Sequence, residues 1–289
     1  TPLYSSAASD VYKRQALECA GASTIKTAYL DSGAYTAAAN VDYTTAMNGT
    51  TLEGAGRGLT TITASGSGRL VLYNVTDGIT GVTIKNLGID LNRVTNAQGV
   101  YCENSGAADY TATWRRLLVK NQGTASKTSF YVSGQNCSVI NCATSQAGHA
   151  FVCSDGPNTY TCCAVLSHAV AGYGLDCTTS GYANTSAILE GCLFEGSATG
   201  GFKIALPGSQ TTPTATVVMR NSAITNVTGK GGDASGDDDV TVAVTLDNDE
   251  RRLFDGFFVR CFGYRHIYGC YDQGHYRNGR CDQPDVYRD

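Results

Sequence analysis

The chain has 289 residues, with 21 Lys and Arg against 25 Asp and Glu, a formal charge of -4, 34 glycines, 5 prolines and 12 cysteines. Between Ala16 and Lys230 twelve acids face twelve bases, a balance that gives no electrostatic ground for a nucleic-acid partner or an anionic membrane. No apolar run is long enough to cross a bilayer, and abundant Gly, Ser, Thr and Asn with little Pro suits short turns between Thr- and Val-rich strands.

Residues 1–15, TPLYSSAASDVYKRQ, look like the in-frame translation of a sequencing adapter, so we set them aside as an artefact of a metagenomic read. Ala16 to Ser23 reads as the end of a short N-terminal cap helix that would shield the first coil. Gly54, Gly56 and Gly58 mimic a dinucleotide-binding loop. A Thr-rich strand follows them where such a loop opens a helix, so a tight corner between coils is the reading.

From Gly81 to Asn226 the chain divides into six segments that align column by column, in steps of 30, 25, 25, 25 and 30 residues. Four columns are apolar or small: Val82, Ala112, Cys137, Cys162, Ala187, Val217; Ile84, Trp114, Val139, Ala164, Leu189, Met219; Leu87, Leu117, Cys142, Ser167, Cys192, Ser222; and Ile89, Val119, Thr144, Ala169, Phe194, Ile224. Within a segment these positions lie two apart, which is strand periodicity, and the chain turns at Asn86, Arg116, Asn141, Leu166, Gly191 and Asn221. A second strand follows each turn, with inward pairs Val100/Cys102, Phe130/Val132, Ala150/Val152, Leu175/Cys177 and Phe202/Ile204. The pattern predicts an all-β fold, a single-stranded right-handed parallel β-helix over 16–230, with roughly eight coils stacked at about 4.8 Å.

Leu30, Gly33 and Tyr35, then Leu52, Gly54 and Gly56 with Thr61 and Thr63, resemble the opening coils of the pectin lyase-like superfamily of polysaccharide lyases, hydrolases, phage tailspikes and adhesins. The resemblance covers roughly Thr27 to Gly229 and rests on spacing and glycine positions, so it implies the fold more than any chemistry.

Chemistry then belongs to outward columns and loops. The first outward column reads Lys85, Arg115, Ile140, Val165, Glu190, Arg220. In lyases that resemble this fold a Lys or Arg takes the proton beside a uronate carboxylate, while calcium held by acids neutralises that carboxylate. The resemblance thus offers Lys85 and Arg115 as catalytic bases and calcium as a candidate cofactor. The local acids are Asp90, Glu103 and Asp109, and no clustered ligand set marks a metal site. Surface cations on a solvated strand explain the same residues.

Gly148-His149-Ala150 and Gly201-Phe202-Lys203-Ile204 faintly resemble two polygalacturonase motifs, without the paired-Asp motifs that should precede them. Hydrolysis needs two carboxyl groups about 5 Å or about 6.5–9.5 Å apart; Asp155, Asp176, Glu190 and Glu195 are the candidates. His149 and His168 read as structural. A second outward column, Tyr101, Tyr131, Phe151, Asp176, Lys203, sets three rings before an acid and a base. Those rings, with Lys203 and Arg220, are substrate-binding candidates, because flat aromatic faces pair with sugar faces. A stacking ladder covered by loops is the alternative.

Most cysteines fall on inward positions and read as buried thiols, although neighbours such as Cys137 and Cys162 would be close enough to bridge. Five N-x-[ST] sequons, at Asn48, Asn74, Asn136, Asn184 and Asn226, are what an Asn- and Thr-rich chain yields by chance. Residues 231–250 read as an acidic Gly- and Asp-rich linker, in which Asp237, Asp238 and Asp239 lack any calcium-loop spacing. The Arg-, Tyr- and Cys-rich stretch 251–289 reads as a small end module or a frameshifted tail. The sequence therefore predicts a secreted or cell- or virion-surface protein directed at a polysaccharide or surface glycan, either cleaving it as a lyase or hydrolase or serving as a non-catalytic adhesin or tail-fibre-like rod.

Overall fold

The computed structural model describes residues 19–22, 24, 26–37, 44–66, 69–73, 80–103, 111–123, 128–133, 136–145, 148–154, 158–167, 172–178, 184–195, 200–206, 214–225, 230–236, 241–247 and 259–262. Their strands form three parallel sheets that the chain visits in turn, winding a right-handed parallel β-helix. Sheet A has nine strands, from Thr27–Leu30 to Thr241–Asp247; sheet B has eight, from Gly33–Ala37 to Ala223–Thr225; sheet C has eight, from Arg69–Tyr73 to Val259–Phe262. Among the described residues no helix is long and apolar enough to cross a membrane. Residues 19–22 are helical, with Ala20 buried.

From the coil of Thr80–Lys85 onward, the corner between sheets A and B is made by one residue in the left-handed conformation. Asn86, Arg116, Asn141, Cys162, Gly191 and Asn221 all have φ between 49° and 63°. Each of the first five donates its N–H to the carbonyl of the next coil, at 2.8 to 3.1 Å. Asn and Gly tolerate this conformation better than other residues, which is why they dominate the column.

The fourth position of that column is Cys162, where equal spacing predicts Leu166. The whole coil sits four residues earlier than expected: Asn158 pairs with Ala187, Tyr160 with Val139 and Leu189, and Val165 with Thr144 and Phe194. Cys162, Ala164 and Ser167 are therefore not the inward residues; Asn158, Tyr160, Cys163 and Val165 are buried instead, and Ala169 lies outside the described residues. The other coils match their columns, including Ile84, Trp114 and Val139.

The core is a stack of rings and branched chains in which Trp114, Phe130, Phe151, Tyr160 and Phe194 are fully buried. Phe130 and Phe151 stack at 5.0 Å, and Tyr160 meets Phe151 edge-on at 5.8 Å. Each such pair adds about 0.5–1.5 kcal/mol beyond area burial. Phe151 pairs in register with Phe130 and Leu175. It belongs to the inward column, and Val152 takes the outward place between Tyr131 and Asp176. The expected inward pair Ala150/Val152 gives way to Phe151 and Cys153.

Among the described residues nine cysteines are free, and of these Cys19 and Cys162 are exposed. Cys137 and Cys162 do not share a column. Cys142, Cys163 and Cys192 do, each at the position after the turn, and each thiol reaches the carbonyl of Trp114, Val139 or Tyr160 in the preceding coil at 3.2 to 3.4 Å. Burial pushes the Cys142 thiol up to about 12.

The stretch read as an acidic linker carries strands Lys230–Gly236 in sheet C and Thr241–Asp247 in sheet A. Residues 237–239 lie outside the described residues, as do 1–15 and, apart from 259–262, the tail 251–289.

Candidate functional site

The sequence-predicted site residues fall on two separate faces. Lys85, Arg115, Glu190 and Arg220 share the outer column of sheet A, which runs Lys85, Arg115, Ile140, Thr161, Glu190, Arg220. Tyr101, Tyr131, Asp176 and Lys203 share the outer column of sheet C. Phe151, fully buried, is on neither and cannot touch a substrate.

On sheet A the charged residues are engaged in stacking the coils. Lys85 Nζ lies 3.0 Å from Glu53 Oε2, while Asn86 donates to Glu53 Oε1 at 2.9 Å. Glu190 and Arg220 are register partners, and Asn221 donates to Glu190 Oε1 at 2.8 Å. Sheet B repeats the device: Lys120 Nζ is 3.2 Å from Asp90 Oδ2, and Asn121 donates to Asp90 Oδ1 at 2.8 Å. An acid on one coil is thus clasped by a cation-Asn pair on the next. A carboxylate with both oxygens committed in this way, and an ammonium already paired, are poorly placed to exchange protons with a substrate. Arg115 is exposed. Glu195 is on a strand of sheet B, whereas Asp176 is on sheet C. Asp109, Asp155 and His168 lie outside the described residues, as does the side chain of Glu103.

Sheet C differs. Tyr101 and Tyr131 stack at 4.4 Å with planes 12° apart. That separation matches the coil rise, so these ring faces are spent on each other, and Tyr101 is itself buried. The ladder reading accounts for this pair better than a flat sugar platform does. Two coils on, Asp176 has a side chain only 8% exposed, and His149 Nδ1 stands 2.9 Å from its Oδ2. The two atoms are in contact without an aligned hydrogen bond between them. Tyr173 packs against the imidazole with ring centroids 5.9 Å apart, and Lys203 Nζ lies 5.8 Å from the Tyr173 ring centre.

Backbone contact makes this convergence. His149 and Tyr173 open adjacent strands of sheet C, and a side chain at Gly172 would sit 2.3 Å from the Gly148 carbonyl oxygen. Only glycine lets the two coils meet there. The sequence reading assigned His149 a structural role and passed over Tyr173. Strand alternation would set Tyr173 on the side of Leu175 and opposite Asp176, so no signal in the sequence joined the phenol to the carboxylate.

Among the described residues no group of three His, Cys, Asp or Glu is placed to hold a metal ion. No protein-family model matches the chain, and no curated protein does. Among solved structures, the A-module of Azotobacter vinelandii mannuronan C-5 epimerase AlgE6 is similar at 17% identity, over 82% of this chain and 70% of that one, with a TM-score of 0.48. The AlgE4 A-module of the same organism is similar at 13% identity, over 90% and 94%, with a TM-score of 0.44. The catalytic domain of a GH87 alpha-1,3-glucanase in complex with nigerose is similar at 13% identity, over 92% and 68%, with a TM-score of 0.41. These likenesses concern the solenoid alone.

Proposed function

We propose that the outer face of sheet C is a carbohydrate site and that the protein acts on a polysaccharide outside the cell or on a virion surface. The observation that carries this reading is the contact of His149 with the nearly buried Asp176, beside the cation Lys203. An ionisable pair held in partial burial on an outer face, next to a positive charge, is the kind of arrangement acid–base chemistry uses.

In this reading Asp176 orients the imidazole, His149 takes a proton from a sugar carbon beside a carboxylate, and Lys203 neutralises that carboxylate. Tyr173, packed against the imidazole, is the candidate to protonate the departing glycosidic oxygen. Elimination fits better than hydrolysis, which needs two carboxyl groups across the bond: among the described residues Asp176 is the carboxylate of this cluster. The rival is a non-catalytic adhesin or tail-fibre-like rod, in which His149 and Asp176 merely stack coils as Glu53 and Lys85 do.

The test offers the purified protein a panel of uronate and neutral polysaccharides, measuring unsaturated ends and new reducing ends separately. Unsaturated ends on a uronate polymer support the reading. Reducing ends without unsaturation turn it to hydrolysis, and no product with retained glycan binding turns it to the rival.

A further inference from the structure

Inside the solenoid, directly behind His149, lies a polar chain in a region otherwise filled by apolar side chains. Thr144, Ser129 and Gln122 are all almost completely buried, and Thr144 occupies a column whose other members are Ile89, Val119, Val165 and Phe194. Ser129 Oγ donates to Gln122 Oε1 at 3.1 Å and lies 2.9 Å from Thr144 Oγ1. A hydroxyl has one proton, so with Ser129 donating to the amide, Thr144 is the donor to Ser129. The same Gln122 oxygen accepts the N–H of Gly148 at 3.0 Å. Hydrogen bonds thus run from Thr144 through Ser129 to Gln122 and end on the peptide that leads into His149.

We infer that Gln122 is a positioning residue: by holding Gly148 from within, it sets where His149 stands relative to Asp176 on the outer face. Two further observations point the same way. Gly172 lies against the Gly148 carbonyl and the His149 nitrogen with no room for a side chain, so the coil bearing Tyr173 and Asp176 rests on the spot that Gln122 fixes. Gln122 Nε2, moreover, is buried without a partner. The residue uses only its carbonyl, and a buried donor left unmade costs about 1–3 kcal/mol. A side chain chosen for stability alone would not leave that group idle, whereas one selected to present two acceptor contacts at a set place would.

This inference rests on the proposed role of His149, yet its test needs no substrate. In full-length protein, the imidazole 15N resonances of His149, assigned with a His149→Gln variant, report the contact of Nδ1 with Asp176; the groups that face the ring are Asp176, Tyr173 and, beyond it, Lys203. Asp176→Asn defines the resonance position of the broken contact. Gln122→Met removes the acceptor at similar volume and should carry the Nδ1 resonance most of the way to that position. Gln122→Glu, neutral when buried, keeps the acceptor and should restore it. Gln98→Met removes another buried amide, whose Nε2 donates to Thr128 Oγ1 at 3.4 Å, and should leave His149 unmoved. If Gln122→Met does not fold, Thr144→Val removes the first donor isosterically and should shift the resonance the same way by less. A folded Gln122→Met protein with an unmoved resonance overturns the inference, and so does an equal shift in Gln98→Met. Should polysaccharide assays fail while these shifts appear, the proposed reaction is wrong and the positioning stands.

Discussion

Lys85 and Glu53, on adjacent coils of sheet A, form an ion pair at 3.0 Å while Asn86, the very next residue, donates to the other oxygen of the same carboxylate. Asp90 with Lys120 and Asn121 repeats the arrangement on sheet B, and Glu190 with Arg220 and Asn221 repeats its register and its Asn bond on sheet A. A reading of Lys85 as a base in catalysis therefore competes with a clasp built twice over and repeated in part a third time. Lys85→Ala should lower unfolding stability by about 0.2–1 kcal/mol, because the pair is partly solvated. Chemical denaturation in low salt and in 1 M salt would show a smaller difference at high salt, and any catalytic activity should survive the substitution.

Asp90 gives the clasp a pH dependence. Burial opposes its ionisation, but hydrogen bonds from the Asn121 amide and the Asn92 N–H, with Lys120 beside it, outweigh burial and hold the carboxyl below its ordinary value. A lowered value in the folded state means a contribution to stability that is fully present above the unfolded value of about 3.9 and lost as pH falls through the folded one. Stability of the native protein against that of Asp90→Asn, followed from pH 7 to pH 2, should therefore differ at neutral pH and converge toward acid. Parallel curves across that range would contradict the assignment.

The turn column predicts substitutions of opposite sign. Cys162 adopts φ 52°, a conformation that Asn tolerates and most side chains do not. Cys162→Asn should gain up to about 1 kcal/mol, roughly 2–4 °C in midpoint for a domain of this size. At Gly191, with φ 63°, an added Cβ would meet the Cys162 sulfur at an ordinary 3.6 Å. Gly191→Ala should then lose about 1 kcal/mol from conformation alone. Thermal unfolding of both variants reads the two signs directly.

Phe151 and Tyr131 separate core from surface. Phe151→Ala should cost about 3–5 kcal/mol by opening a cavity among Phe130, Tyr160 and Phe194. Tyr131→Ala loses one stacked face, worth about 0.5–1.5 kcal/mol. Equal losses in denaturant titrations would mean that Phe151 is not the inward residue of its coil.

The winding itself was legible, because large apolar residues such as Trp114, Leu117 and Val119 recur at alternate positions and an Asn or Gly marks most corners. The coil from Asn158 to Val165 was not. Small residues such as Cys162 and Ala164 fit an inward column as readily as Asn158 and Tyr160 do, and loops of unequal length remove the spacing as a guide. Phe151 was misplaced for a related reason: Ala150, Phe151, Val152 and Cys153 are all buried. Where both faces of a strand are covered, alternation disappears. The His149–Asp176 contact joins residues on different coils, and its geometry depends on Gly172 and Gln122, neither of which carries a signal that sequence alone could connect to a histidine.

The most direct measurement is the rate of product formation on the polysaccharide panel by native protein, Asp176→Asn and Lys85→Ala, each shown to be folded. A site on sheet C predicts unsaturated ends from the native protein, a loss of about a hundredfold or more in Asp176→Asn, the scale of a general acid–base contribution, and near-native rates in Lys85→Ala. Full activity in Asp176→Asn, or its abolition in Lys85→Ala alone, would contradict it.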